Sequence, residues 1–200
     1  MTGETILSII TGLALSAACG FRVFVPMLVM SIAGYHGPPL ALPPGFEWFQ
    51  SLTGHLPLAA GFEWIGTTVA MKAFAIATVC EIAAYYIPWF DNALDHVTTP
   101  IAVIAGVMVM ASSITGLSPF LQWILAVVAG GAAAGLTQGA TVIARGGSTA
   151  TSFGTTNWIV STAEWLGSLL LSIVALLIPA IIIIILGAML VYTSRRKKTA

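Results

Sequence analysis

Residues 158–193 read WIVSTAEWLGSLLLSIVALLIPAIIIIILGAMLVYT, with Glu164 as the single charge and Pro179 as the single proline. One helix of this length would extend about 54 Å, against a hydrocarbon layer of about 30 Å. Pro179 divides the run into 158–178 and 180–193. That gives either two spans with a tight apolar turn, or one kinked span preceded by an interfacial helix. Working toward the N-terminus, further apolar runs cover 119–144, 101–118, 65–88 and 5–34. The last of these is long, and Gly20 and Pro26 interrupt it, so a broken or strongly tilted helix is expected there.

Only 7% of the chain is charged and 58% is hydrophobic, whereas soluble domains carry roughly 25% charged residues. No soluble surface can be built from this composition. Seven basic and seven acidic residues cancel, which leaves no net field to recruit nucleic acid. The fold class is therefore an all-α polytopic membrane bundle, of six spans or alternatively five, with the lipid bilayer as its partner. Cys19 and Cys80 lie inside apolar stretches and read as packing residues. The stretch before Cys19 does not read as a lipoprotein site, because Glu4 precedes it without any base and the apolar run continues beyond it.

The basic tail Arg195-Arg196-Lys197-Lys198 predicts a cytoplasmic C-terminus. Six spans put the N-terminus on the same side and Arg145 in a cytoplasmic loop. The outer loops, 35–64 and the turn near Ser118, then hold no Lys or Arg. Gly12, Ser16 and Gly20 recur at the same spacing as Gly131, Gly135 and Gly139, and Glu81 pairs with Glu164 across unequal gaps. This suggests halves 1–118 and 119–200, each of three spans, the second inverted as in many transporters. Small residues four apart also let helices approach closely, within the chain or in a homo-oligomer through Gly131, Gly135 and Gly139.

The polar residues inside the spans are the candidate site. An ionised group at mid-membrane costs about 2.5–3.5 kcal/mol, so Arg22, beside Gly20 and four residues before Pro26, has either a substrate anion or an internal acid such as Glu81 as partner. Lys72 is near enough to a span end to snorkel. Glu81 is deeper, and Glu164 is its counterpart. In the stretch from Glu81 to His96, a helix continued through Pro88 would put Glu81 and Asp95 on one face with Asn92 close by. Asp91 and Asp95 are one turn apart. These acids suit a gate or solvated boundary more than a metal site, since no second His or Cys is near. Asp91 also suits a helix N-cap. The segment Arg145-Gly-Gly-Ser-Thr-Ala-Thr-Ser-Phe-Gly-Thr-Thr-Asn157 reads as a loop able to wrap an anion, or as a linker. Gly-Phe-Glu-Trp occurs twice, at 45–48 and 61–64, and marks 35–64 as an interfacial segment. No catalytic set or cofactor motif emerges.

Gly-Phe-Arg-Val-Phe-Val-Pro (20–26), Ile-Pro-Trp-Phe-Asp-Asn-Ala-Leu-Asp (87–95) and Gln-Gly-Ala-Thr (138–141) with Arg-Gly-Gly-Ser-Thr-Ala-Thr (145–151) resemble a family of small bacterial membrane proteins, the domain of unknown function 4126. The resemblance implies a multi-pass inner-membrane protein and brings no activity. The residues themselves favour a small transporter or channel for an anionic solute, with Arg22 on the anion. Glu81 and Glu164 would couple protons or a cation, and Asp91, Asn92, Asp95 and Arg145 would form the mouth. The alternatives are a structural or assembly subunit, whose charges are internal pairs, and a lipid-acting enzyme. A transporter should show a water-reachable cavity ending at Arg22 and Glu81; a structural protein should show them paired and sealed.

Overall fold

The computed structural model describes the backbone of residues 2–40, 44–45, 47–87 and 90–199. Side chains are described there except at 90–95, 179–180 and 182–199. The described chain is helical, without strands. Its helices are α1 (Gly3–Phe21), α2 (Phe24–Ala33), α3 (Thr68–Tyr85), α4 (Phe90–Ser113), α5 (Pro119–Leu125), α6 (Gly131–Ser152) and α7 (Asn157–Thr199), with a π turn over Ala126–Gly130 joining α5 to α6. Two short 3-10 helices, Glu47–Leu52 and Glu63–Gly66, lie in the segment between α2 and α3. Five helices are long and apolar enough to cross a membrane, with α5, the π turn and α6 counted as one; α2 is a shorter apolar helix.

The expected break in the first run falls at Arg22, and Pro26 explains it. A proline ring clashes with the carbonyl four residues earlier, here that of Arg22, and lacks the N–H that would bond to it. Arg22 is accordingly extended, with φ −148° and ψ 130°. Pro26 itself sits in the first turn of α2, where a missing N–H costs little.

Beyond this break the chain reverses direction. Near its start, α1 meets the α4–α5 turn, where the Thr115 N–H donates to Ser8 Oγ at 3.2 Å. Helix α2 returns toward that same end, so that Met30 Sδ accepts from Ser112 Oγ of α4 at 3.4 Å. The segment after α2 stays there, with the Ala59 N–H donating to the Ser112 carbonyl at 2.8 Å. Helix α7 starts at the other end, where Ser161 Oγ donates to the Tyr85 carbonyl at 3.3 Å. It runs back antiparallel to α1, with Ser168 Oγ donating to the Ala18 carbonyl at 3.0 Å. Both chain termini thus leave from one end of the bundle, termed the terminal end.

Three expectations are corrected. Helix α7 runs without interruption through Pro179, 43 residues in all, so the return pass lies at Arg22–Val23 and not at Pro179. Segment 35–64 and the turn near Ser118 consequently share the end of the N-terminus instead of facing away from it. The stretches aligned as a repeat are also parallel. Thr5 lies against Gly116, and Gly20 lies against Ala134, Thr137 and Gln138, so α1 and α6 run in the same direction and are not inverted copies.

The glycines act as packing contacts among α1, α4 and α6. Where α4 crosses the π turn, a Cβ on Gly106 would lie 2.8 Å from the Gly130 carbonyl oxygen. Ser16 Oγ bridges α1 to α4 by donating to the carbonyls of Gly12 and Gly106 at 2.7 and 2.8 Å. Gly131 and Gly135 face Val107 and Val103 of α4, and only Gly139 of that trio looks onto open space. Around this seam the terminal half of the interior is apolar, built from Leu15, Met30, Ile65, Val109, Met110 and Ile114.

Candidate functional site

The opposite half of the interior holds the buried charges. Arg22 arrives at the end of α1, Arg145 from α6 and Glu164 from the second turn of α7. Arg22 Nη2 lies 2.8 Å from Glu164 Oε2, and Arg145 Nη2 bonds to the same oxygen. Arg22 Nη2 also donates to the Ser161 carbonyl at 3.2 Å. Both guanidiniums lie over the ring of Tyr85, with Cζ 3.7 Å (Arg22) and 4.4 Å (Arg145) from its centroid. A desolvated cation on an aromatic face gains about 2 kcal/mol, which helps to hold two like charges on one carboxylate. The Tyr85 hydroxyl is 2.8 Å from Thr98 Oγ1 of α4.

The node is closed to solvent: Arg22, Arg145 and Glu164 are 2%, 2% and 3% exposed. One groove in the terminal half is lined by residues including Tyr35, His36, Leu58 and Glu63. Another lies between α4 and α6, lined by His96, Thr99, Val142, Gly146 and Thr149. Neither is lined by Arg22, Glu81, Arg145 or Glu164.

Glu81 does something different from what its sequence position suggests. Its Oε1 accepts from the Val23 N–H at 2.8 Å and its Oε2 from the Phe24 N–H at 3.0 Å. Helix α2 has no side-chain cap of its own, so an acid from α3 caps its positive N-terminal end across the break. A cap is worth about 1 kcal/mol. Glu81→Gln should therefore lower the unfolding midpoint by only about 2–4 °C, as read by thermal denaturation in lipid nanodiscs. A loss as large as that of a Glu164 variant would show instead that Glu81 is needed to neutralise the arginines.

The sequence expectations fare unequally. Arg22, Arg145 and Glu164 come together, but Arg145 is not a loop residue as expected. Helix α6 continues to Ser152, and its hydroxyls turn back onto it: Thr151 Oγ1 donates to the Gly147 carbonyl at 2.9 Å and Ser152 Oγ to the Ser148 carbonyl at 2.6 Å. The anion-wrapping loop is thereby replaced by helix, with Ser148 and Thr149 meeting Thr156 and Asn157 across the turn into α7. Glu81 and Asp95 do not share a helix face, since α3 ends at Tyr85 and α4 begins at Phe90. The backbone of Asp91, Asn92 and Asp95 belongs to the first turns of α4, so Asp91 is inside the helix and not its N-cap. Their side chains lie outside the described residues. Lys72 is exposed in the first turns of α3, as its snorkelling requires. Nothing in the composition of the span singles out Tyr85 as a site residue. The available signal was its position four residues after an intramembrane acid, on the same helix face.

Fold and site together define an all-helical, multi-pass membrane protein with an arginine–glutamate–arginine node sealed inside it. The chain belongs to the family described as a domain of unknown function, number 4126, whose family model matches residues 9–53 and 51–197. Neither a curated protein nor a solved structure matches the chain.

Proposed function

We infer that this protein is a structural or assembly subunit of the membrane, in which the buried charges lock its own helices together. One observation carries this reading: Arg22 and Arg145 both bond to Glu164, and all three are buried from solvent. A buried acid with its own basic partners holds register and orientation. Orientation follows from the basic residues. Lys72 and the four of the C-terminal tail lie at the terminal end, whereas the opposite connections, 86–89 and 153–156, contain none. By the positive-inside rule the terminal end, with segment 35–64, faces the cytoplasm of a bacterial inner membrane.

A second reading, transport of a small anion, is favoured by the break at Arg22–Val23. Irregular backbone inside a membrane is tolerated where it is buried in protein or lines a cavity, and broken helices are common at transport sites. Proteoliposome flux separates the two. With chloride, formate and phosphate as probes, the structural reading expects no flux above protein-free vesicles. Flux of any of the three would establish transport and overturn it.

A further inference from the structure

We propose that α2 and α3 form one rigid arm, hinged to the remaining helices at Arg22–Val23, whose swing withdraws Tyr85 from the two guanidiniums and opens the charged node. The arm is tied together at both ends. At the node, Glu81 of α3 holds the Val23 and Phe24 N–H groups at the start of α2. At the terminal end, Ser31 Oγ of α2 donates to the Ile65 carbonyl at 2.5 Å, and Gly34 closes against Gly66 and Leu58. Helix α3 packs chiefly on α2 and turns Val69, Ile76 and Val79 outward, each more than two-thirds exposed.

The other helices form a separate body. Gly20 and Gly106 bring α1, α4 and α6 into backbone contact, and Ser168 fixes α7 to α1. The arm meets this body along α2, which also packs on α7 and α1 and whose Met30 Sδ accepts from Ser112 Oγ of α4, and through a polar tip. At the tip, Tyr85 reaches Thr98 and Tyr86 Oη reaches Thr162 Oγ1 at 2.7 Å. An extended residue between two helices is the kind of element that absorbs a hinge rotation. Arg22 has that conformation, and its guanidinium stays with the body through Glu164 and Ser161. Rotation about Arg22–Val23, with the four-residue link from Tyr85 to α4 following, moves Glu81 and Tyr85 together while the three ionic partners stay in place.

Electron–electron distance measurements in nanodiscs test this in a Cys80→Ser background. One spin-label pair spans arm and body (Ile76→Cys with Leu136→Cys), and one lies within the body (Ile104→Cys with Leu170→Cys). Adding Tyr85→Ala should give the first pair a second, shifted population and leave the second pair unchanged. An unchanged first pair, or equal broadening of both, overturns the proposal. Hydrogen exchange on the unmodified protein gives an independent check should Tyr85→Ala not fold. Residues 23–33 and 68–85 should open together at lower denaturant than α1, α4 and α6, whereas opening in step with those helices overturns the arm.

Discussion

Glu164→Gln is expected to destabilise the folded bundle by about 3–5 kcal/mol, the cost of removing one partner from a buried ionic group. The substitution keeps the shape and one acceptor oxygen but removes the charge that two guanidiniums share. Neither arginine can recover its hydration, because both are sealed and the surrounding solvent is lipid. An effect of this size shifts the folded-to-unfolded ratio by at least a hundredfold. Monodispersity after extraction and the denaturant midpoint in mixed micelles both read it. A variant within about 1 kcal/mol of the parent would mean that Glu164 does not hold the arginines.

Gly20→Leu should cost about 3 kcal/mol, the upper range for overpacking a tight core. A Cβ at Gly20 would fall 2.5 Å from Thr137 Cβ and 2.8 Å from the Gln138 nitrogen. The obstacle includes backbone, which cannot rotate aside, so α1 and α6 must separate. Arg22 is two residues further on and would be carried away from Glu164. Gly139 is the internal control, since nothing lies within 4 Å of a Cβ placed there. Gly139→Ala should be neutral or gain up to about 1 kcal/mol from helix propensity. Thermal unfolding of the two variants side by side checks both values; equal losses would show that the glycine spacing, and not the observed contact, matters.

Much of this architecture is legible from residues 20–26 and 158–193. Pro26 disfavours a helical Arg22, because its ring clashes with the Arg22 carbonyl. The charge pattern also favours both termini at one end, as the antiparallel α1 and α7 place them. The position of the return pass does not follow from it. Pro179 lies in a helix that continues, as prolines in membrane helices can when neighbours and local adjustments satisfy the freed carbonyl. Pro26 acts together with the Arg22 break that Glu81 stabilises from another helix. Arg22 and Glu164 stand out as costly intramembrane charges, but their meeting through Arg145 was hidden. The Gly-Gly-Ser-Thr composition after Arg145 reads as loop in water, whereas in this chain it forms the last turns of α6. The matching glycine spacings were misleading for a related reason: close helix packing produces the same spacing wherever helices touch.

Simultaneous neutralisation of the node tests its role most directly. Replacing Arg22, Arg145 and Glu164 together by Met removes all three charges at similar volume, an exchange that is often neutral or stabilising for buried ionic groups. If the node is an internal lock, this triple variant recovers most of the stability lost in Glu164→Gln, as measured by the denaturant midpoint in the same micelles. A triple variant as unstable as Glu164→Gln, or a Glu164→Gln protein as stable as the parent, would contradict it.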